Sequence, residues 1–102
     1  MLECGREAIA LAEGKTRADL DIDRQLNLSL VRLLEIIGEA ANRVPKAVQA
    51  SYPQIPWAEV VSLRNRLIHG YDSVDFDVVW QVVTVDLPTL VVDLQETMPA
   101  AE

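Results

Sequence analysis

The stretch Ser62-Leu63-Arg64-Asn65-Arg66-Leu67-Ile68-His69-Gly70-Tyr71-Asp72 gathers two guanidiniums, a carboxamide, an imidazole and a phenol. Guanidiniums bind anions with fixed geometry. An imidazole, with a reference pKa of about 6.5, can give or take a proton near neutrality. Together these groups suit acid–base work beside a phosphate, where positive charge must meet a developing anion. Residue types alone leave a plainer use open. A His at a helix end is a favourable cap for the negative end of the dipole, exposed Arg residues solubilise, and a Tyr just past a helix commonly packs its ring and wets its hydroxyl.

A helix running from Trp57 to His69, opened by Pro56 and ended at Gly70, would carry these groups. At about 100° per residue, Trp57, Val60, Val61, Leu67 and Ile68 form one apolar stripe with Arg64 near its middle, and Asn65, Arg66 and His69 lie on the other side. A desolvated guanidinium needs an anion or several acceptors. Arg64 is therefore expected either to pair with a buried carboxylate such as Glu39 or to face a cleft or a partner chain. Pairing with Arg43 at i+4 explains Glu39 equally well.

The elements around this helix follow from spacing and punctuation. Leu2 to Ala12 favours helix and Gly14 ends it. From Asp19 to Val44, Leu26, Leu30, Leu33, Leu34, Ile37, Ala40, Ala41 and Val44 recur at steps of three and four, which predicts one long amphipathic helix begun by Asp19, Asp21 and Asp23. Leu28, Val31 and Ile36 give it a second apolar side, suited to another chain. Gly38 inside it costs about 1 kcal/mol relative to Ala, which is explained by close approach of a neighbouring helix or by tolerated drift. Pro45 stops the helix and begins a short one through Ala50, and Tyr52 to Pro56 is an extended loop in which Tyr52 packs. Phe76 to Thr97 reads as a last helix bent at Pro88. β-Branched residues from Val78 to Val85 would suit a strand, but three-and-four spacing persists through Leu94. The expected fold is all-α, an antiparallel bundle of four main helices plus a short accessory one, in a single domain covering residues 1–102.

Composition narrows the function classes. The chain is half hydrophobic and a quarter charged, ordinary globular proportions. No run approaches the ~18 apolar residues of a membrane span, and Met1-Leu2-Glu3-Cys4-Gly5-Arg6-Glu7 has neither the basic region nor the hydrophobic core of a signal peptide. A soluble cytoplasmic protein is expected. One Cys and one His allow no intrachain disulfide and no usual four-ligand zinc site from one subunit, so neither metal nor other cofactor is expected. The net charge of −7 is unevenly spread: residues 1–66 hold all nine bases and nine acids, and residues 67–102 hold seven acids and no base. Long-range, nonspecific attraction to nucleic acid is disfavoured, and any RNA site must be local, near Arg43, Lys46, Arg64 and Arg66.

The string Arg64-Asn65-Arg66-Leu67-Ile68-His69-Gly70-Tyr71 resembles the R-x4-H-x-Y motif of the HEPN superfamily, in particular the HepT-like toxins paired with minimal nucleotidyltransferase antitoxins. Arg32 to Arg43 (R-L-L-E-I-I-G-E-A-A-N-R), Tyr52 to Trp57 (Y-P-Q-I-P-W) and Val74 to Trp80 (V-D-F-D-V-V-W) resemble that family's other blocks, in order, with coverage from about Asp19 to Leu94. The resemblance implies a HEPN-like fold and a metal-independent endoribonuclease toxin of a type VII-like toxin–antitoxin module. It implies a homodimer whose two motifs face one another across a cleft. Carried over by position, Arg64 and His69 are the catalytic pair, Asn65 and Arg66 support them, and Tyr71 is the phenol that a cognate nucleotidyltransferase modifies with AMP to silence the toxin. One His per chain fits this scheme, because a twofold dimer supplies the second acid–base group. An alternative of another class is a noncatalytic helical module that dimerises or binds nucleotides and keeps the motif as a polar interface network. The acidic balance favours the module, and the intact Arg64, His69 and Tyr71 set favours the enzyme.

Overall fold

The computed structural model describes residues 1–67 and 74–97, and every regular element in them is helical. The order is α1 (Leu2–Ala12), α2 (Asp19–Ile22), α3 (Arg24–Arg43), α4 (Lys46–Ala50), α5 (Trp57–Val61), α6 (Leu63–Leu67), α7 (Phe76–Gln81), a π-helical turn (Val82–Asp86) and α8 (Leu87–Thr97). Helix α3 is the centre: α1 and α2 pack on it from one end of the chain, and α5, α6 and α7 from the other. Its residues Leu26, Leu30, Leu33, Leu34, Ile37 and Ala41 are buried, the three-and-four pattern of the sequence. Helix α8 closes the core against α1 with Leu87, Leu90, Val91 and Leu94. The β-branched stretch is helical, because its apolar residues face one shared core.

Three of the expected long helices are interrupted, each for a local reason. The expected helix from Asp19 breaks at Asp23, which leaves the helical region (φ −103°, ψ 95°) and accepts the Leu26 N–H at 3.0 Å as an N-cap. Asp19 instead accepts the Thr16 N–H at 2.7 Å, and Asn27 Nδ2 donates to the Leu20 carbonyl across the break. Asp23→Ala is expected to cost about 1 kcal/mol, lowering the midpoint of a circular-dichroism melt by about 4–8 °C for a domain of this size, while Asp23→Asn retains most of it.

The second break is at Ser62, between α5 and α6, where the Ser Oγ donates to the Glu59 carbonyl at 3.0 Å. Such back-bonding competes with the helix ladder and bends it. The third is the π turn. Pro88 has no N–H for the Thr84 carbonyl and its ring crowds that carbonyl, so the irregularity falls in the turn before the proline rather than at it. Thr84 Oγ1 donates to the Trp80 carbonyl at 2.7 Å within the widened segment.

The remaining punctuation matches its residues. Gly14, with φ +76°, turns the chain after α1. Buried Gln49 donates through Nε2 to the Ala41 and Val44 carbonyls, both at 3.1 Å, at the end of α3, where Ala41 also accepts the Val44 N–H. Tyr52 packs against the core, and its carbonyl accepts the Trp57 indole N–H at 3.1 Å. A Cβ placed on Gly38 would lie 3.2 Å from the Val60 carbonyl oxygen, so the expected close approach is real, and α5 is the helix that makes it.

Candidate active site

The motif side chains follow the break at Ser62, on α6. Past it, Leu63 and Leu67 turn inward and are buried, one helical turn apart. Arg64, Asn65 and Arg66 are consequently all exposed on α6. The expected stripe left out Leu63; the buried line runs through Val60, Leu63 and Leu67 at steps of three and four, and Arg64 falls beside it with its side chain 71% exposed. Its carboxylate neighbour is Glu35 on α3, with Arg64 Nε 3.9 Å from Glu35 Oε2, and not Glu39, which is exposed. At that distance the pair is a loose ion pair rather than a hydrogen bond, and pairs this exposed contribute about 0–1 kcal/mol. The guanidinium thus remains available to an incoming anion.

Arg66 points to the other side of α6, toward the π turn, where its Nη2 donates to Asp86 Oδ2 at 3.4 Å. The two motif arginines are therefore divided between two carboxylates on different elements. Neither Glu35 nor Asp86 stands out in the sequence as a site residue. Glu35 had a weak signal, one turn before Glu39 on the same helix; Asp86 had none, because its direction depends on the π turn.

The chain leaves the described region at Leu67 and returns at Val74, and the two ends are tied: the Asp75 N–H donates to the Leu67 carbonyl at 2.7 Å. Asp75 also caps α7, its Oδ1 accepting from the Asp77 and Val78 N–H groups at 3.0 and 3.3 Å. Arg17 fastens the same end of α7. Its Nε donates to Asp77 at 2.7 Å and its Nη1 to Asp21 at 3.1 Å, and the guanidinium lies 5.9 Å from the centre of the Phe76 ring. Hydrogen bonds to Asp77 and then Asp21 push the Arg17 pKa up. His69, Gly70 and Tyr71 lie outside the described residues, as does the expected end of the helix beyond Leu67.

On α3, Leu28 is 52% exposed and lies on the face that also carries Glu35, seven residues on. Val31 and Ile36 are half-buried. Among the described residues no helix is long and apolar enough to cross a membrane.

The model of the ribonuclease HepT-like family matches residues 1–97. The chain belongs to this family. It is 41% identical over 93 residues to a Thermococcus cleftensis protein named "Probable ribonuclease HepT", covering 87% of this chain and 84% of that one. A protein of Methanocaldococcus jannaschii, provisionally named an RNase, is 28% identical over the whole of this HepT-like chain and 84% of its own. Another of Caldanaerobacter subterraneus, also provisionally named an RNase, is 32% identical over 88% of this chain and 80% of its own. No solved structure matches the chain.

Proposed function

We propose that this HepT-like chain is, as one domain over residues 1–102, the metal-independent endoribonuclease toxin of a type VII-like toxin–antitoxin pair, acting in the cytoplasm as a homodimer. The observation that carries the proposal is the family match across residues 1–97, joined to Arg64, His69 and Tyr71 at the spacing of the family motif. Relatives named as ribonucleases support it.

In the proposed reaction the RNA 2′-hydroxyl attacks the adjacent phosphorus. Its proton passes to a base, the bond to the 5′-oxygen breaks, and an acid protonates that leaving oxygen, leaving a cyclic 2′,3′-phosphate and a 5′-hydroxyl. Arg64 supplies positive charge to the phosphorane, supported by Asn65 and Arg66. His69 supplies proton transfer, and a twofold dimer brings two copies of it to one cleft. The exposure of Arg64, and of Leu28 on the neighbouring face of α3, supports a cleft formed by two such faces.

Silencing follows the same chemistry. An AMP ester on Tyr71 would bring a bulky anion to the cleft and compete with RNA for Arg64 and Arg66. Incubation with the cognate minimal nucleotidyltransferase and ATP is expected to raise the intact mass by whole AMP units. Tyr71→Phe is expected to abolish the gain, and a modification mapped to another residue overturns the assignment.

The activity itself is tested with purified protein and end-labelled RNA in excess chelator, where cleavage to cyclic-phosphate ends is expected. Intact RNA under all conditions would leave the chain as a noncatalytic dimerisation or nucleotide-binding module.

A further inference from the structure

Glu35 stands where the fold has little use for it. It lies on the central helix α3 next to the buried Leu34, with its own side chain 29% exposed. Glu39 follows four residues on, and like charges at that spacing weaken a helix. Taking most of a carboxylate out of water also costs free energy unless it is paired. Its pairing with Arg64 is loose, and pairs this exposed add little to stability. An apolar side chain of similar size would serve the fold as well or better.

What Glu35 reaches is one edge of the motif guanidinium. Its Oε2 lies 3.9 Å from Arg64 Nε, and attraction between the charges turns the Nε edge toward α3. That is a different edge from the Nη1–Nη2 pair, with which a guanidinium can grip a phosphate through two parallel hydrogen bonds. The anchor is also the more firmly held of the two. Arg64 rides on a helix of five residues, whereas Glu35 sits one turn from Gly38, where a Cβ would meet the Val60 carbonyl oxygen at 3.2 Å. An exposed Arg side chain has many rotamers open to it, and misplacing a reacting group's partner by about 1 Å costs about a hundredfold in rate. We infer that Glu35 is a positioning residue for RNA cleavage: it orients Arg64 so that the Nη edge meets the scissile phosphate, and does not itself touch substrate. This rests on the role of Arg64 given above.

Glu35→Met keeps a stem of similar length and helix propensity and removes the charge. With labelled RNA in chelator, its kcat is expected about tenfold below wild type. KM is expected not to rise, because the charge removed repelled the RNA backbone; a loss confined to kcat marks an interaction made in the transition state. The melting midpoint is expected at or above that of wild type, whereas a carboxylate that served only the fold would lower the midpoint and leave kcat of the folded protein unchanged. Glu35→Gln, which keeps an oxygen beside Nε, is expected to recover part of the loss. In an Arg64→Ala background Glu35→Met is expected to lower kcat no further, since it acts through Arg64. Glu39→Gln, the same change in net charge on the same helix, is expected to leave kcat unaltered.

Full kcat in Glu35→Met overturns the inference and leaves the role of Arg64 standing. A higher kcat overturns it too, because Glu35 would then restrain Arg64. So does an equal further loss in the Arg64→Ala background, which would make Glu35 a proton acceptor in its own right. Should Glu35→Met melt below the assay temperature, Glu35→Gln decides: kcat below wild type supports the inference and wild-type kcat overturns it. Wild-type cleavage by Arg64→Ala would instead remove the reading of Arg64, and the inference with it.

Discussion

His69→Ala is expected to lower cleavage of labelled RNA in chelator by at least about a hundredfold, the lower end of what a positioned acid or base contributes. The loss is large because each chain has one imidazole, so a homodimer of the variant has none with which to move a proton. Arg64→Ala is expected to cost a comparable ~10²–10³ in turnover, as removal of one preorganised charge partner does elsewhere. Its stability should hardly change, because the side chain is 71% exposed and its ion pair with Glu35 spans 3.9 Å. Activity lost with an unaltered melting curve is the mark of a group that acts on substrate. Equal cleavage by wild type and His69→Ala would remove both the catalytic assignment and the shared-cleft dimer built on it.

The sequence displays the core well because burial needs only a period. Leu26 through Ala41 on α3 and Val79 through Leu94 on the final stretch lie inward where three-and-four spacing puts them. Breaks are harder to read. Asp19, Asp21 and Asp23 are equally good caps by type; in the fold Asp19 is taken by the Thr16 N–H, and Asp23 is the one that accepts from Leu26. Leu63 is the residue whose burial shifts the stripe: it joins Val60 and Leu67 at steps of three and four, and Arg64 falls beside that line, exposed, and not in its middle.

The candidate site divides in the same way. Residue types and the motif point to Arg64, Asn65, Arg66, His69 and Tyr71 with no coordinates at all. Their carboxylate neighbours could not be named, since Glu35 and Asp86 reach α6 from other elements and Asp86 depends on a π turn induced ahead of Pro88.

Gly38→Val couples the fold to the site. Its Cβ would stand 3.2 Å from the Val60 carbonyl oxygen and 3.6 Å from that of Val61, both backbone atoms of α5 that cannot move alone. Replacing Gly raises intrinsic helix propensity by a few tenths of a kcal/mol for Val. Overpacking of a tight contact costs about 1–3 kcal/mol, so the balance is destabilising. The melting midpoint should fall by about 4–8 °C per kcal/mol for a domain of this size, whereas Glu39→Val, one residue on and exposed, should change it little. Relief of the clash requires α5 to move away from α3 and to carry α6 with it. Arg64 would then draw away from Glu35, which already lies 3.9 Å off. RNA cleavage measured at a temperature where both variants are folded should therefore fall for Gly38→Val and not for Glu39→Val. A Gly38→Val midpoint at or above wild type would mean that α3 and α5 do not meet as closely as described, and that the site on α6 is not held by that contact.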